Sequence, residues 1–237
     1  MNSFEISNKT ARLIVLQRIE IANSTLRYFR KIFGRYIFTS IITKFFLSAA
    51  SVGKKYFKVM SNEFLTIKEY IQGENNNSFL SIGGGVGGLE AIVNHHLKNK
   101  NFYFIERNFI SKKVKYGWGG LLNTEAYNNI IEQKNFLLNN RIQDSQINIF
   151  DYDKDELPKI KFDIIISLLS LDYHYDFEIY EKYLREVSTP RTKIIFDTIR
   201  ADYFKDVFNN VKILNSQTNT VHKSKRILCS DFSTKLV

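Results

Sequence analysis

The chain has 237 residues, 44% of them hydrophobic and 14% aromatic, enough to bury a sizeable core and too apolar for global disorder. Its formal net charge of +10 admits nucleic acid, an anionic membrane face or a phosphorylated substrate as a partner. A single cysteine, Cys229, excludes an internal disulfide framework and a thiolate zinc cluster, so no metal site is expected and a reducing, cytoplasmic setting is.

The first residues are polar (Asn2, Ser3, Glu5), so no signal peptide is expected. Apolar positions at helical spacing (Leu13, Leu16, Ile19, Ala22, Leu26, Phe29, Phe33) predict a helix over 8–33. Further helices are expected over 36–50 and 52–71. The window from Ile37 to Val52 is interrupted by Lys44 and falls short of the ~20 apolar residues of a transmembrane helix. Residues 1–75 hold twelve Lys and Arg against five Glu, so most of the excess charge lies there. These helices are also the expected surface of any oligomer. The polar run Gln72–Ser78 marks a boundary between an N-terminal helical extension, 1–75, expected to cap the ligand pocket, and a second unit, 76–237.

Beyond it, strand and helix patterns alternate, which predicts a parallel sheet covered on both faces. Strands are expected at Phe79–Ile82, Phe102–Ile105, Gln146–Phe150, Phe162–Leu168 and Lys193–Asp197. Helices are expected at Leu89–Leu97, about Thr124–Asn139 and Asp176–Glu186. Val211–Leu214 and Arg226–Cys229 predict an antiparallel hairpin at the sheet edge. The fold class is therefore α/β and Rossmann-like, with a mostly parallel sheet, a terminal hairpin and a helical extension.

The segment Ser81-Ile-Gly-Gly-Gly-Val-Gly-Gly-Leu-Glu90 lies between the first predicted strand and its helix. Gly83, Gly85 and Gly87 permit backbone angles other residues resist and let the main chain approach a ligand. Dinucleotide-binding folds use a similar turn, so the motif alone does not choose a cofactor. Glu106 ends the second strand about twenty residues later, where a carboxylate can hydrogen-bond ribose hydroxyls, with Arg107 beside it. Asp151 ends the third strand, where it can accept from an adenine amino group, and Tyr152 can flank the ring. The fourth strand delivers Ser167 to Tyr175 to the carboxyl edge of the sheet, the ligand-binding edge of open α/β folds.

Residues 79–230, about two thirds of the chain, resemble the class I S-adenosylmethionine-dependent methyltransferases. The resemblance implies that Gly83, Gly85 and Gly87 pack against the methionine part of S-adenosylmethionine. It implies likewise that Glu106 binds the ribose and Asp151 contacts the adenine. The family pattern has an acid two residues before the first glycine, where this sequence has Ser81, which can still hydrogen-bond. The loop with Tyr116-Gly117-Trp118, the Tyr127-Asn128-Asn129 segment and the stretch from Ser167 to Tyr175 also resemble sugar O-methyltransferases of bacterial glycan clusters.

Methyl transfer to a hydroxyl needs alignment and removal of a proton. Of four histidines, His95 and His96 are expected to face solvent and His222 to lie in the hairpin or its turn. His174 lies on the ligand-binding edge and is the candidate base, with Asp172 the alternate. Tyr116, Trp118, Tyr173 and Tyr175 are candidate walls of an acceptor pocket. The expected acceptor is a small molecule or glycan. RNA, addressed by the basic N-terminal region, and a non-catalytic partner or membrane-surface role stay open as alternatives.

Overall fold

The computed structural model describes residues 2–73, 76–112, 125–214 and 224–234. Helix α1 (Asn8–Gln17) opens at Ser7, whose hydroxyl accepts from the Thr10 amide at 3.0 Å. The single helix expected over 8–33 is divided. Arg18 leaves helical geometry, a 3-10 turn follows at Ile19–Ile21, and α2 (Ser24–Tyr28) starts afresh. The cause is local: the Asn23 side chain accepts from the Leu26 amide at 2.8 Å, satisfying as a cap a donor that a continuous helix would have used. The apolar spacing survives the break because Ile21 and Ala22 stay buried on the same side.

Helix α3 (Arg30–Phe45) bends at Gly34, where φ is 70°. Helix α4 (Ala49–Ile71) follows, capped by Ser48 accepting from the Ser51 amide. Among the described residues, no single helix is long and apolar enough to cross a membrane.

The α/β portion runs β1 (Ser78–Ile82), α5 (Gly88–His96), β2 (Asn101–Glu106), α6 (Ile130–Asn139), β3 (Ile147–Asp151) and β4 (Ile164–Ser167). It continues with α7 (Phe177–Val187), β5 (Lys193–Thr198), a one-turn α8 (Phe204–Val207), β6 (Phe208–Leu214) and β7 (Lys225–Phe232). Helix α6 begins later than its apolar pattern implies because Asn129 caps it, accepting from the Glu132 amide at 3.0 Å. The seven strands lie in the order β3-β2-β1-β4-β5-β7-β6. Strands β1 to β5 are parallel, and β7 runs antiparallel to both β5 and β6. The terminal hairpin expected from the sequence is thus present and longer at both strands.

Alternation along the strands divides the core in two. Phe79, Phe102, Phe104, Ile164 and Ile166 face the N-terminal helices, α5 and α6, and form one continuous cluster with Leu13, Phe38, Phe64 and Ile67. Leu80, Ile105, Ile165 and Phe196 face α7 and α8 on the other side. A buried ion cluster lies on the first side. Arg226 on β7, 1% exposed, meets Asp197 of β5 at 2.9 Å and Glu63 of α4 at 2.6 Å. It ties the sheet edge to the helical layer.

Candidate functional site

The chain leaves β1 toward β2 and β3 on one side and returns to β4 and β5 on the other. Above the carboxyl ends of β1 and β4 this reversal opens a crevice. It holds a cavity of about 870 Å³, within the usual range for ligand sites. The glycine turn forms its floor, with φ of 64°, 66° and 87° at Gly83, Gly85 and Gly87. A side chain at Gly83 would run into Ser170, and one at Gly87 would lie 2.6 Å from the Leu137 methyl. Glycine is therefore required twice over, by backbone angle and by space.

Three polar side chains brace the turn. Glu106, at the end of β2, accepts from the Gly85 amide at 2.8 Å. The Asn128 amide donates to the Gly85 carbonyl at 3.0 Å, and Gln17 of α1 accepts from the Val86 amide at 3.3 Å while donating to the Tyr127 carbonyl. The helical extension thus reaches into the site itself. Burial raises the Glu106 carboxyl from its ordinary 4.5 to about 8, against the Gly85 amide and the Asn128 side chain, and the neighbouring Glu90 raises it further. Glu90, in the first turn of α5, is 4% exposed and also lines the cavity. Burial raises its carboxyl too, and its principal partner is the Ser81 hydroxyl.

The loop after β4 forms the opposite wall. Leu169 and Asp172 both have positive φ, 59° and 57°, a conformation that costs about 1–3 kcal/mol per residue unless the surroundings enforce it. The surroundings do. Ser167 donates to the Ile82 carbonyl at 2.7 Å and accepts from the Leu171 amide at 2.9 Å. The Asp172 carboxylate holds Thr198 and receives Arg200 Nε at 2.8 Å. So fixed, the loop presents Tyr173, His174 and Tyr175 to the cavity. The His174 ring sits edge-on between Tyr173 and Tyr127, at 4.7 and 6.1 Å. Arg107 lines the same wall, lying over the Tyr175 and Tyr152 rings and 3.5 Å from Asp153. The Tyr175 hydroxyl donates to the Glu125 carbonyl.

The cavity therefore gathers Ser81, Gly83, Gly85, Glu106, Arg107, Tyr173, His174 and Tyr175 from the sequence expectations, while Gly87 packs behind the turn against Leu137. Four others stand outside it. Ser167 spends both hydroxyl bonds on the backbone, and the Asp172 side chain is turned away toward Arg200, so neither faces the cavity. Asp151 pairs in register with Glu106, but its carboxylate turns onto the Asp153 amide and Lys154. Tyr152 packs against Arg107 and Tyr180. Tyr116, Trp118 and His222 lie outside the described residues, and His95 and His96 are exposed, as expected.

Sequence reading assigned no role to Gln17, Glu90 or Asn128, although Asn128 lies in the Tyr127-Asn128-Asn129 segment it singled out. Glu90 had a visible signal, being the lone acid in the apolar run Val86–Val93. Arg27, Arg30, Lys31 and Arg35, from α2 and α3 of the helical extension, also line the cavity.

No family model and no curated protein sequence matches the chain. Solved structures do. The S-adenosylmethionine-dependent methyltransferase SibL, in its apo form, superposes with a TM-score of 0.53 at 11% identity, over 94% of this chain and 69% of that one. Mitomycin 7-O-methyltransferase MmcR matches at 12% identity and a TM-score of 0.46, over 92% of this chain. Magnesium protoporphyrin IX methyltransferase ChlM from Synechocystis PCC 6803 matches at 13% and 0.45, over 92% of this chain and 97% of that one. The chain spans 59% of the length of the mitomycin enzyme. The fold is the Rossmann-like one of S-adenosylmethionine-dependent methyltransferases.

Proposed function

We propose that the chain is an S-adenosylmethionine-dependent methyltransferase that O-methylates a small-molecule or glycan acceptor. The observation that carries this reading is the joining, in one cavity, of the glycine turn, the strand-end carboxyl of Glu106 and His174. The floor favours this cofactor over a dinucleotide. A pyrophosphate would settle at the start of α5, where Glu90 already places a carboxyl beside Glu106. S-adenosylmethionine brings cationic groups instead.

The cofactor supplies an electrophilic methyl group on a sulfonium. Glu106 holds the ribose hydroxyls, and the glycine turn leaves room for the amino-acid end. Tyr173 and Tyr175 wall the acceptor, and the loop locked by Asp172 and Ser167 keeps His174 in place to take the acceptor's hydroxyl proton. Asp172 supports the base rather than replacing it. Asp151 contacts adenine only if its carboxylate leaves its own turn.

The arginine-rich lining from α2 and α3 also supports a second reading, RNA as acceptor, in which affinity falls steeply with salt. Calorimetric titration with S-adenosylmethionine and S-adenosylhomocysteine, with NAD as control and Glu106→Ala in parallel, tests the main reading. Saturable binding weakened by Glu106→Ala supports it, whereas binding of NAD alone overturns it.

A further inference from the structure

Glu90 is a buried carboxyl with half of its hydrogen-bonding capacity unused. It is the third residue of α5, 4% exposed, within the cavity lining. The Ser81 hydroxyl donates to it, while Oε2 has no hydrogen-bond partner among the described residues. An Oε1 position 3.3 Å from where a Cβ on Gly84 would stand places the group directly against the glycine turn.

Among the described residues no cation pairs with it. The adjacent titratable groups are Glu106, itself a carboxyl, and the Tyr56 phenol. Arg18, a cation of the same lining, is engaged by Glu20 at 3.3 Å and Glu63 at 3.7 Å. A buried carboxylate left half-satisfied is costly, and natural sites retain such groups where a ligand completes them. No group of three or more acids, histidines or cysteines among the described residues is arranged to hold a metal ion. The remaining complement is an organic cation with N–H donors.

We propose that Glu90 binds the α-ammonium of the cofactor's amino-acid end, with Ser81 orienting its carboxylate. This rests on the S-adenosylmethionine reading and assigns the ammonium to a helix residue. Oε2 accepts from the ammonium, while the Ser81 hydroxyl holds the other carboxylate oxygen. The glycine at 84 is then necessary because a side chain there would displace Ser81.

The test uses S-adenosylhomocysteine, whose only cation is that ammonium, and its deamino analogue, in which hydrogen replaces the ammonium. The full chain should bind S-adenosylhomocysteine at least about tenfold more tightly than the analogue, as for loss of one charge-assisted hydrogen bond. Glu90→Gln should lose roughly that factor for S-adenosylhomocysteine and bind the analogue within about threefold of wild type. Equal binding of the two ligands by the wild-type protein overturns the assignment, as does a preference that survives in Glu90→Gln. The wild-type comparison stands even if that variant does not fold, and Glu90→Asp, which keeps the charge, should keep part of the preference. Failure of the wild-type protein to bind either ligand overturns the cofactor reading itself, a result distinct from both.

Discussion

Replacing Glu106 with Gln should stabilise the ligand-free protein, increasingly so as pH rises. Burial raises this carboxyl from 4.5 to about 8 in the folded protein. Between those values the folded state keeps a proton that the unfolded chain has released, so stability falls with rising pH by ~1.4 kcal/mol per pH unit. The loss reaches about 3 kcal/mol at pH 7 and at most about 5 kcal/mol above pH 8. Gln keeps a carbonyl oxygen for the Gly85 amide, which donates at 2.8 Å, and carries no charge to desolvate. The neighbouring Glu90, also raised, contributes to wild type and variant alike, so it largely cancels from the difference. Urea unfolding of both proteins at pH 5.0, 7.0 and 8.5 measures it. The variant's advantage should grow by about 2–4 kcal/mol across that range, while its affinity for S-adenosylhomocysteine drops. Stability curves that stay parallel from pH 5.0 to 8.5 would refute the burial argument.

Arg226→Met should cost about 3–5 kcal/mol, because it strands Asp197 in the interior and leaves Glu63 with only Arg18, and the melting temperature reads it. Gly87→Ala combines a φ of 87° with a contact 2.6 Å from Leu137. It should destabilise by about 1–3 kcal/mol and weaken cofactor binding, seen by denaturant titration and calorimetry. His174→Ala should lower kcat about 10²–10⁴-fold with cofactor affinity unchanged once an acceptor is in hand, and full turnover would remove the general-base role.

The sheet was legible because its signals are local. Apolar runs such as Ile164–Ser167, bounded by polar segments, report burial on both faces, and the Gly83–Gly87 turn announces its own backbone angles. The break at Arg18–Asn23 was hidden because periodicity follows which side is buried, not whether the hydrogen-bond ladder is continuous. Asp172 looked like a base from its place beside His174. Its positive φ and its tie to Arg200, 28 residues on, depend on tertiary contacts that no spacing encodes. The roles of Gln17 and Asn128 were missed for the same reason, since they reach the glycine turn from 69 and 43 residues away.

The Arg226 cluster sets a constraint on the order of events during synthesis. Glu63 waits for a partner that lies 163 residues further along the chain. At about 5–20 residues per second, Arg226 follows it from the ribosome by roughly ten to thirty seconds. Until then Glu63 has only Arg18, 3.7 Å away, as a counter-charge. The cluster that joins α4 to the sheet edge is therefore completed only once β7 has been made. Nascent chains halted before residue 226 should leave α4 more open to proteolysis than the full chain does, even though the first six strands have been made.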